Sequence, residues 1–331
     1  MKILLGSHHF FPSTGGIETA SNLLAREFVA LGHEVRVVTQ TEGNGDFPFP
    51  VLRRPGVFEM VRLIRWCDVF LQNNISLRTL WPLLFVRRPL FIAHQTWITN
   101  PDGSFGWQHR LKRFVLRYAT SFAISRAVAE RLPGPSIPVG NPYDDKVFTD
   151  VPPEPRAREL IFVGRLVSDK GADLLLEAMA LLEPKPRLTV AGDGPERARL
   201  EKQAADLQLQ SRVSFLGSKN SEELATLLRQ HQTLVVPSRW AEPFGIVALE
   251  GIACGCVVAG SAEGGLAEAI GPCGLTFPNG DAPALANVLA RMLEDPDERD
   301  RLRANAPPHL ARFTPRSVAS VYLDAMRNAA R

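Results

Sequence analysis

The sequence lacks any apolar run long enough to cross a membrane, which takes about 20 predominantly apolar residues. One apolar stretch, residues 80–93, is interrupted by Arg87 and Arg88. The four cysteines form no CxxC pair and stand beside no histidine cluster. This pattern predicts buried thiols in a reducing compartment and argues against a disulfide framework or a metal site. We therefore expect a cytoplasmic protein.

The chain also has little excess charge, with a formal net charge of +3 over 331 residues. Residues 1–150 hold 17 Lys and Arg against 12 Asp and Glu, whereas the remainder holds 21 against 23. The basic excess of the first half hints at an anionic surface or acceptor. Its aromatic residues are not interleaved with basic ones as a stacking platform for single strands requires, so no nucleic-acid partner is expected.

Short apolar runs alternate with longer amphipathic ones along the chain, a pattern typical of βαβ units around parallel sheets. Met1–Gly6 is predicted to be a buried strand rather than a signal peptide, because its apolar run is short. The alternation stops in the proline-rich stretch 133–158 and then restarts. The fold class is therefore α/β, with two Rossmann-like, doubly wound domains, residues 1–150 and 151–314, facing across a cleft. A final helix over about residues 315–331 can pack back on the first domain.

The most informative motif joins two carboxylates across a helix start. It runs Glu242-Pro243-Phe244-Gly245-Ile246-Val247-Ala248-Leu249-Glu250 after the strand pattern of residues 233–236. A helix start favours an anion because its backbone N–H groups are unpaired. Carboxylates beside it would repel phosphate but can accept hydrogen bonds from hydroxyls. The combination favours a diphosphate flanked by sugars, and the alternative is an ordinary helix with a loop glutamate and a surface glutamate.

Two further glycine motifs follow predicted strands. Gly15 and Gly16 open the first helix, where small residues let the backbone approach a phosphate or simply make a tight turn. Arg165 and Lys170 bracket the turn after the first strand of the second domain. Cations at that position can stabilise a departing diphosphate, although two solvated surface cations would give the same pattern.

The segment Gly164-Arg165-Leu166-Val167-Ser168-Asp169-Lys170-Gly171 resembles the phosphate-binding segment of glycosyltransferase family 4, the group 1 retaining glycosyltransferases. Other landmarks follow in the family's order: Ala191–Pro195, Phe215-Leu216-Gly217, the E-x7-E motif from Glu242 to Glu250, and Glu263–Glu268. Gly15-Gly16-Ile17-Glu18 is similar to the family's N-terminal glycine motif. The resemblance covers nearly the whole chain and is most specific in the second domain.

The resemblance implies a GT-B fold and a nucleotide-diphosphate sugar donor, with UDP or GDP favoured and no cofactor or metal required. By position, Gly15, Gly16, Arg165 and Lys170 would contact the diphosphate, and Gly217 would lie near the nucleotide base. Glu242 would hold hydroxyls of the donor sugar, and Glu250 would hold the ribose. Phe244, Gly245, Ile246 and Val247 would offer backbone N–H groups. Catalysis would fall to His94, Glu242, Arg165 and Lys170.

His94 ends a predicted strand, where a histidine can orient the donor sugar, although a lone histidine is more often structural. His8 and His9 follow the first strand. A general base is one interpretation of this pair. The preferred interpretation is that one of them, His9, lines the acceptor site, and the alternative is that both are simply loop residues. The long aromatic loop after His94 contributes Trp97 and Asp102 as acceptor contacts.

The helix after this loop carries Arg110, Arg113 and Arg117 on one face. Such a face is usually solvated, but it also suits weak peripheral contact with an anionic membrane, at the inner face of a cytoplasmic membrane. In the connection between domains, Pro142 and Tyr143 replace a Gly-Val typical of the family. Asp144 and Asp145 lack the spacing of a metal-binding DxD.

The sequence therefore predicts a retaining, metal-independent glycosyltransferase that moves a sugar onto an acceptor hydroxyl. A sugar-nucleotide epimerase, a phosphorylase and a non-catalytic sugar-nucleotide-binding protein stay open as alternatives. The donor sugar, the acceptor and the oligomeric state are not determined at this level.

Overall fold

The computed structural model describes residues 1–13, 15–98, 106–150 and 156–329. The chain divides into two compact units. The first contains Met1–Tyr143 together with Phe313–Arg331, and the second contains Asp144–Arg312. Within the described ranges, no helix is both long and apolar enough to span a bilayer.

The first unit is built on a seven-stranded sheet in the order β3-β2-β1-β4-β5-β6-β7. Its strands are β1 (Lys2–Ser7), β2 (Glu34–Thr39), β3 (Val51–Arg53), β4 (Val69–Asn73), β5 (Leu90–His94), β6 (Thr120–Ala123) and β7 (Ser136–Pro138). Neighbouring strands pair in parallel, with Leu5 of β1 opposite Leu71 of β4. The central strands β4 and β5 are buried along their whole length, which explains their continuous apolar sequences.

Helices cover both faces of this sheet: α1 (Gly16–Ala30), α2 (Val57–Trp66), α3 (Leu77–Leu80), α4 (Trp107–Val115) and α5 (Arg126–Ala129), with short 3-10 helices at Trp81–Leu84 and Leu116–Tyr118. One core lies between the sheet and α1, around Phe28 and Phe91. The other lies under α2, α3 and the 3-10 helix after α4, around Leu63, Leu80 and Leu116.

The second unit repeats the plan on a six-stranded sheet in the order β10-β9-β8-β11-β12-β13. Its strands are β8 (Arg158–Val163), β9 (Leu188–Ala191), β10 (Val213–Phe215), β11 (His231–Val236), β12 (Val257–Ser261) and β13 (Gly274–Phe277). Its helices are α6 (Ala172–Ala180), α7 (Arg197–Asp206), α8 (Ser221–Arg229), α9 (Ile246–Ala253), α10 (Leu266–Ile270), α11 (Ala282–Glu294), α12 (Pro296–Ala304) and α13 (Ala306–Leu310), with 3-10 turns at Ser168–Lys170, Gly271–Cys273 and Ala311–Phe313. The predicted doubly wound α/β architecture is confirmed.

The last helix, α14 (Pro315–Ala329), packs on the first unit. Tyr322 is buried there against Phe122, with ring centroids 4.2 Å apart, and against Phe28 at 6.4 Å. Where the chain leaves and re-enters this unit, the Tyr143 amide donates to the Phe313 carbonyl at 3.3 Å.

Two details differ from the sequence analysis. The sequence pattern predicts that the stretch 133–158 connects the two domains, whereas in the structure Ser136–Pro138 forms the edge strand β7 beside β6. Three residues are too few to show a period, so the pattern missed it. The units also separate after Tyr143 rather than at residue 150. Asp150 belongs to the second unit because it pairs with Arg156, which donates to the Cys254 carbonyl at 2.8 Å.

We expect Tyr322→Ala to lower the free energy of unfolding by about 3–5 kcal/mol, since it removes a fully buried aromatic ring and leaves a cavity. Chemical denaturation followed by circular dichroism measures the change. Ser320→Ala, on the exposed side of the same helix, is the matched control and should be close to neutral. A small effect of Tyr322→Ala would show that α14 does not stabilise the first unit.

Candidate functional site

Two loops at the carboxyl edge of the second sheet are in direct contact. They follow the adjacent parallel strands β8 and β11 and meet where Gly171 packs against Pro237. A Cβ atom on Gly171 would lie 2.0 Å from the Pro237 carbonyl oxygen, and the φ of Gly171 is +70°. Only glycine fits both this space and this backbone conformation. Glycine is therefore required at the end of the segment that carries Arg165 and Lys170.

Lys170 and Glu242, predicted as separate donor contacts, form an ion pair across these loops. Lys170 Nζ lies 2.5 Å from Glu242 Oε1, and Ser238 Oγ donates to the same oxygen at 2.6 Å. The Glu242 side chain is 10% exposed and that of Lys170 is 27% exposed. A buried carboxylate without a partner is strongly destabilising, so each charge stabilises the other. The pair places a cation directly beside a hydrogen-bond acceptor.

The backbone of Glu242 is held from its other side by the glycine turn after β12. The Gly265 amide donates to the Glu242 carbonyl at 2.6 Å. Gly264 has a φ of +85°, and a Cβ atom there would lie 2.2 Å from the same carbonyl oxygen. Asn279 Nδ2 adds a hydrogen bond to the Ser238 carbonyl at 3.1 Å. The position of the carboxylate is thus set by three loops.

Helix α9 begins immediately after this carboxylate. Its N-cap, Gly245, has a φ of 106°, and no side chain caps the helix. The backbone N–H groups of the first turn, at Ile246 and Val247, therefore have no intrahelical partner. Phe244 is buried and anchors the loop. This is the anion-favouring helix start that the motif predicts.

Arg165 and Gly217 lie at the ends of β8 and β10. Arg165 is exposed, and no described carboxylate forms an ion pair with it. It therefore remains available as a cation, unlike Lys170. Gly217, with a φ of +70°, accepts a hydrogen bond from the Gly192 amide at 2.9 Å, which ties its loop to the one after β9.

Glu250 lies one turn into α9. It is half-buried, and no described side chain donates a hydrogen bond to it. Burial raises the pKa of this carboxyl to about 7, and repulsion from Asp144 adds to the shift. A carboxylate held at such a cost to stability is a candidate for ligand contact.

In the first unit, Gly15 is the N-cap of α1 and Gly16 its first residue. The carboxylate of Glu18 lies over this helix start, so that a Cβ atom on Gly15 would be 2.6 Å from Glu18 Oε2. Ser13 Oγ donates to the other oxygen of Glu18 at 3.0 Å. The start of α1 is therefore covered by the chain's own acidic side chain, Glu18.

His94 ends β5 and is buried, with Nε2 3.2 Å from Ser121 Oγ. Burial lowers the pKa of His94 to about 4, so the ring is neutral at physiological pH. A neutral imidazole can form a hydrogen bond with a sugar hydroxyl, but it provides no positive charge to stabilise the sugar or the diphosphate.

The three acceptor candidates differ in what the structure says of them. His9 lines a cavity at the carboxyl edge of the first sheet. Trp97 is half-buried, with the Arg131 guanidinium 4.0 Å from its ring centroid. Asp102 lies outside the described residues.

Sequence reasoning assigned no role to three residues that the structure places at these edges. Ser238, which fixes Glu242, belongs to the Pro237-Ser238 pair that precedes the E-x7-E motif. Asn73 lines the same cavity as His9, and Gln95 is buried with neither side-chain atom bonded to a described residue. The one feature of the sequence that could have pointed to these three residues is a polar side chain at the carboxyl end of a buried strand.

Comparison with known proteins agrees with this geometry. The family description "Glycosyl transferases group 1" matches residues 145–309. This part of the chain is a group 1 glycosyltransferase domain. A curated D-inositol 3-phosphate glycosyltransferase from Frankia alni is 41% identical over 189 residues, which make up 52% of this chain and 46% of that protein. An α-D-kanosaminyltransferase from Streptomyces kanamyceticus is 32% identical over 154 residues, or 45% of this chain and 40% of that protein.

These matches span less than half the length of the curated relatives, whereas structural likeness extends to the whole chain. HepE from Anabaena, solved in complex with UDP, superposes with a TM-score of 0.84 at 19% identity, over 99% of this chain and 100% of that one. Sucrose-phosphate synthase from Thermosynechococcus elongatus gives 0.81 at 22% identity, over 99% and 98% of the two chains. The glycosyltransferase domain is therefore one of two doubly wound units of a GT-B fold.

We expect Glu250→Gln to stabilise the protein at pH 8 and to have little effect at pH 5. The folded carboxyl keeps its proton to about pH 7, whereas the ordinary value is 4.5. The native state consequently loses stability as the pH rises through this window. An amide avoids the buried charge, for a gain on the order of 1–3 kcal/mol.

Thermal unfolding at the two pH values measures this effect, and Glu263→Gln, an exposed carboxylate, is the control. Equal gains at pH 5 and pH 8 would contradict the explanation by burial of charge.

Proposed function

We propose that this chain is a retaining glycosyltransferase that moves a sugar from a nucleotide-diphosphate sugar to an acceptor hydroxyl. The observation that carries the proposal is the Lys170–Glu242 pair beside the uncapped start of α9. A diphosphate needs the cation and the N–H groups, and the adjoining sugar needs the carboxylate. The group 1 match over residues 145–309 supports the same assignment.

In the proposed reaction, Arg165 and Lys170 stabilise the negative charge on the leaving diphosphate. Glu242 and His94 hold hydroxyls of the sugar. The acceptor oxygen attacks from the same face as the leaving group. As the new C–O bond forms, the bond between the sugar carbon and the phosphate oxygen breaks, and that oxygen takes the acceptor's proton. Because the two cations perform the role of charge stabilisation, no metal is required, and configuration at the sugar carbon is retained.

UDP or GDP is the proposed nucleotide, with Glu250 on the ribose and Gly217 near the base. HepE, with the same fold, was solved with UDP. Two other activities would use the same cluster. An epimerase would act without an acceptor, and a phosphorylase would use free phosphate, so product analysis separates them. A non-catalytic binding protein would bind the donor without any turnover.

Calorimetric titration with UDP-, GDP- and ADP-sugars, without added metal, is expected to show selective binding of one nucleotide. Arg165→Ala should weaken it about tenfold or more, since a charge-assisted contact is lost, and should lower turnover. Arg212→Ala removes an exposed cation from the amino edge of the same sheet and should change neither. Lys170→Ala is compared with Lys170→Ala plus Glu242→Gln, because the single change leaves a buried charge unpaired.

Unchanged turnover in Arg165→Ala would refute the proposed mechanism. Absence of binding by a folded wild-type chain would refute the donor assignment itself.

We further propose that the protein is cytoplasmic and makes peripheral contact with an anionic membrane through α4. Every residue of α4 is at least partly exposed. Apolar side chains of α4 and of the 3-10 helix that follows it point outward at helical spacing. Their exposed fractions are 71% for Trp107, 42% for Leu111, 51% for Phe114 and 73% for Tyr118. Buried Leu116 lies on the opposite side of the helical repeat. An outward apolar stripe of this kind requires an explanation beyond the fold of its own domain.

Basic residues flank this stripe. Arg110, Arg113 and Arg117 follow the same repeat, and all three line a cavity of about 760 Å³ that contains no acidic residue in its described wall. Between Val69 and Ala129 the sequence holds eight Lys and Arg against one acidic residue. Apolar side chains beside a concentrated positive charge favour the interface of an anionic bilayer.

The wild-type protein is expected to sediment with vesicles that contain an anionic lipid and to bind neutral vesicles far more weakly. Trp107→Ser with Phe114→Ser should abolish sedimentation. Arg110, Arg113 and Arg117 changed to Gln should weaken it by about two orders of magnitude at low salt.

Leu181→Ser with Val321→Ser, which removes exposed apolar residues elsewhere, serves as the control. Equal binding to neutral vesicles, or self-association through the stripe without vesicle binding, would contradict the membrane assignment.

A further inference from the structure

A cavity of about 480 Å³ opens at the carboxyl edge of the first sheet. It lies beyond the ends of β1 and β4 and is bounded by α3 and by the first turns of α4. Its polar lining consists mainly of His8, His9, Asn73, Asn74, Arg78 and Lys112; we refer to it as the β1–β4 pocket. In open parallel sheets, ligands bind at this edge.

Asn73 is 3% exposed and is one of the residues that line this pocket, and its Oδ1 is a buried hydrogen-bond acceptor. Ser21 Oγ donates its hydrogen to the Ile17 carbonyl at 2.6 Å, so it can only accept from the amide of Asn73, whose Nδ2 lies 2.5 Å away. The orientation of the amide is thereby set, and no described donor reaches Asn73 Oδ1. A buried acceptor without a partner is costly. A ligand hydroxyl would satisfy it.

Two cations lie on the walls of the same pocket. Arg78 is exposed and Lys112 half-buried, and neither forms an ion pair with a described carboxylate. The pocket has no acidic residue among its described lining. Burial lowers the pKa of His8, and the nearby His9 and Arg78 add smaller contributions in the same direction. An unneutralised cluster of this kind favours an anion.

The loop that carries Arg78 is firmly attached to the sheet. Asn74, in the left-handed region at φ 55°, reverses the chain after β4. Its Oδ1 accepts a hydrogen bond from the backbone N–H of Gln95 at 2.8 Å. Thr79 Oγ1 donates to Gln72 Oε1 at 2.8 Å, which fixes α3. The backbone that carries Arg78 is therefore fixed at the wall of the pocket.

We propose that the β1–β4 pocket binds an acceptor that carries both hydroxyls and a compact anionic group, a phosphate or a carboxylate. Asn73 Oδ1 accepts a hydrogen bond from an acceptor hydroxyl, and Arg78 and Lys112 bind the anionic group. This assignment rests on the proposed transfer function, because it identifies the molecule that receives the sugar. A pocket of this kind would bind a charged acceptor more tightly than a neutral polyol of the same shape.

The test is calorimetric titration of the full chain, saturated with the nucleoside diphosphate that it binds, so that Arg165 and Lys170 are occupied. The probes are matched pairs: inositol phosphate with inositol, glucose 6-phosphate with glucose, and glucuronate with glucose. At least one anionic probe is expected to bind about tenfold or more tightly than its neutral parent. The phosphate and carboxylate arms identify which anion is preferred.

Arg78→Gln with Lys112→Gln should abolish this preference while leaving nucleotide binding unchanged. Ser76→Asp adds a negative charge to the pocket wall at the N-cap of α3, where aspartate is structurally favourable, and should also reduce anion binding. Arg62→Gln with Arg87→Gln removes two cations of the same unit that do not line the pocket, and should retain the preference.

The inference is overturned if no anionic probe is preferred to its parent, or if the preference survives in Arg78→Gln with Lys112→Gln. Failure of the proposed function gives a different result, because the wild-type protein then binds no nucleotide. In that case the preference for anionic probes is measured by titration without nucleotide.

Discussion

The ion pair between Lys170 and Glu242 is the interaction on which the candidate donor site depends. Two charges are largely removed from water, and such a pair is tolerated only where its geometry is good and further hydrogen bonds complete it. Ser238 supplies one of these bonds. The pair forms only because the loops after β8, β11 and β12 approach closely, and that approach needs glycine at positions 171 and 264.

The same pair has a consequence for the proposed reaction. A diphosphate that binds Lys170 shares this cation with Glu242, so Glu242 loses part of its contact with Lys170. The sugar hydroxyls then donate hydrogen bonds to Glu242 in place of that contact. Arg165, exposed and without a carboxylate partner in the described chain, has no such prior contact. In the proposed reaction the two cations would therefore differ in role: Lys170 would couple the phosphate to the sugar, and Arg165 would be free to meet the leaving group. Glu250 adds a second, half-buried carboxyl whose pKa is raised to about 7, so this unit holds charge at a cost to its own stability.

Much of this arrangement could be predicted from the sequence because its elements are local. The buried strands follow from their apolar runs, the start of α9 from Gly245, and the doubly wound plan from the alternation of strands and helices. The motifs of the second unit also identified Lys170 and Glu242 individually. Short elements such as β7 and α3 were beyond reach, because three or four residues carry no measurable period.

The sequence by itself determined the fold class, the group 1 motifs and which residues bear charge beside helix starts. Only the tertiary structure decided which of those charges meet. It joined Lys170 to Glu242 across 72 positions of chain and buried His94 as a neutral ring. It also left Asn73 Oδ1 without a described partner in a residue that lines the same pocket as Arg78 and Lys112. The physical reason is that local pattern depends on neighbours in sequence, whereas pairing, burial and pKa depend on distances that loops from separate strands set when the sheets assemble.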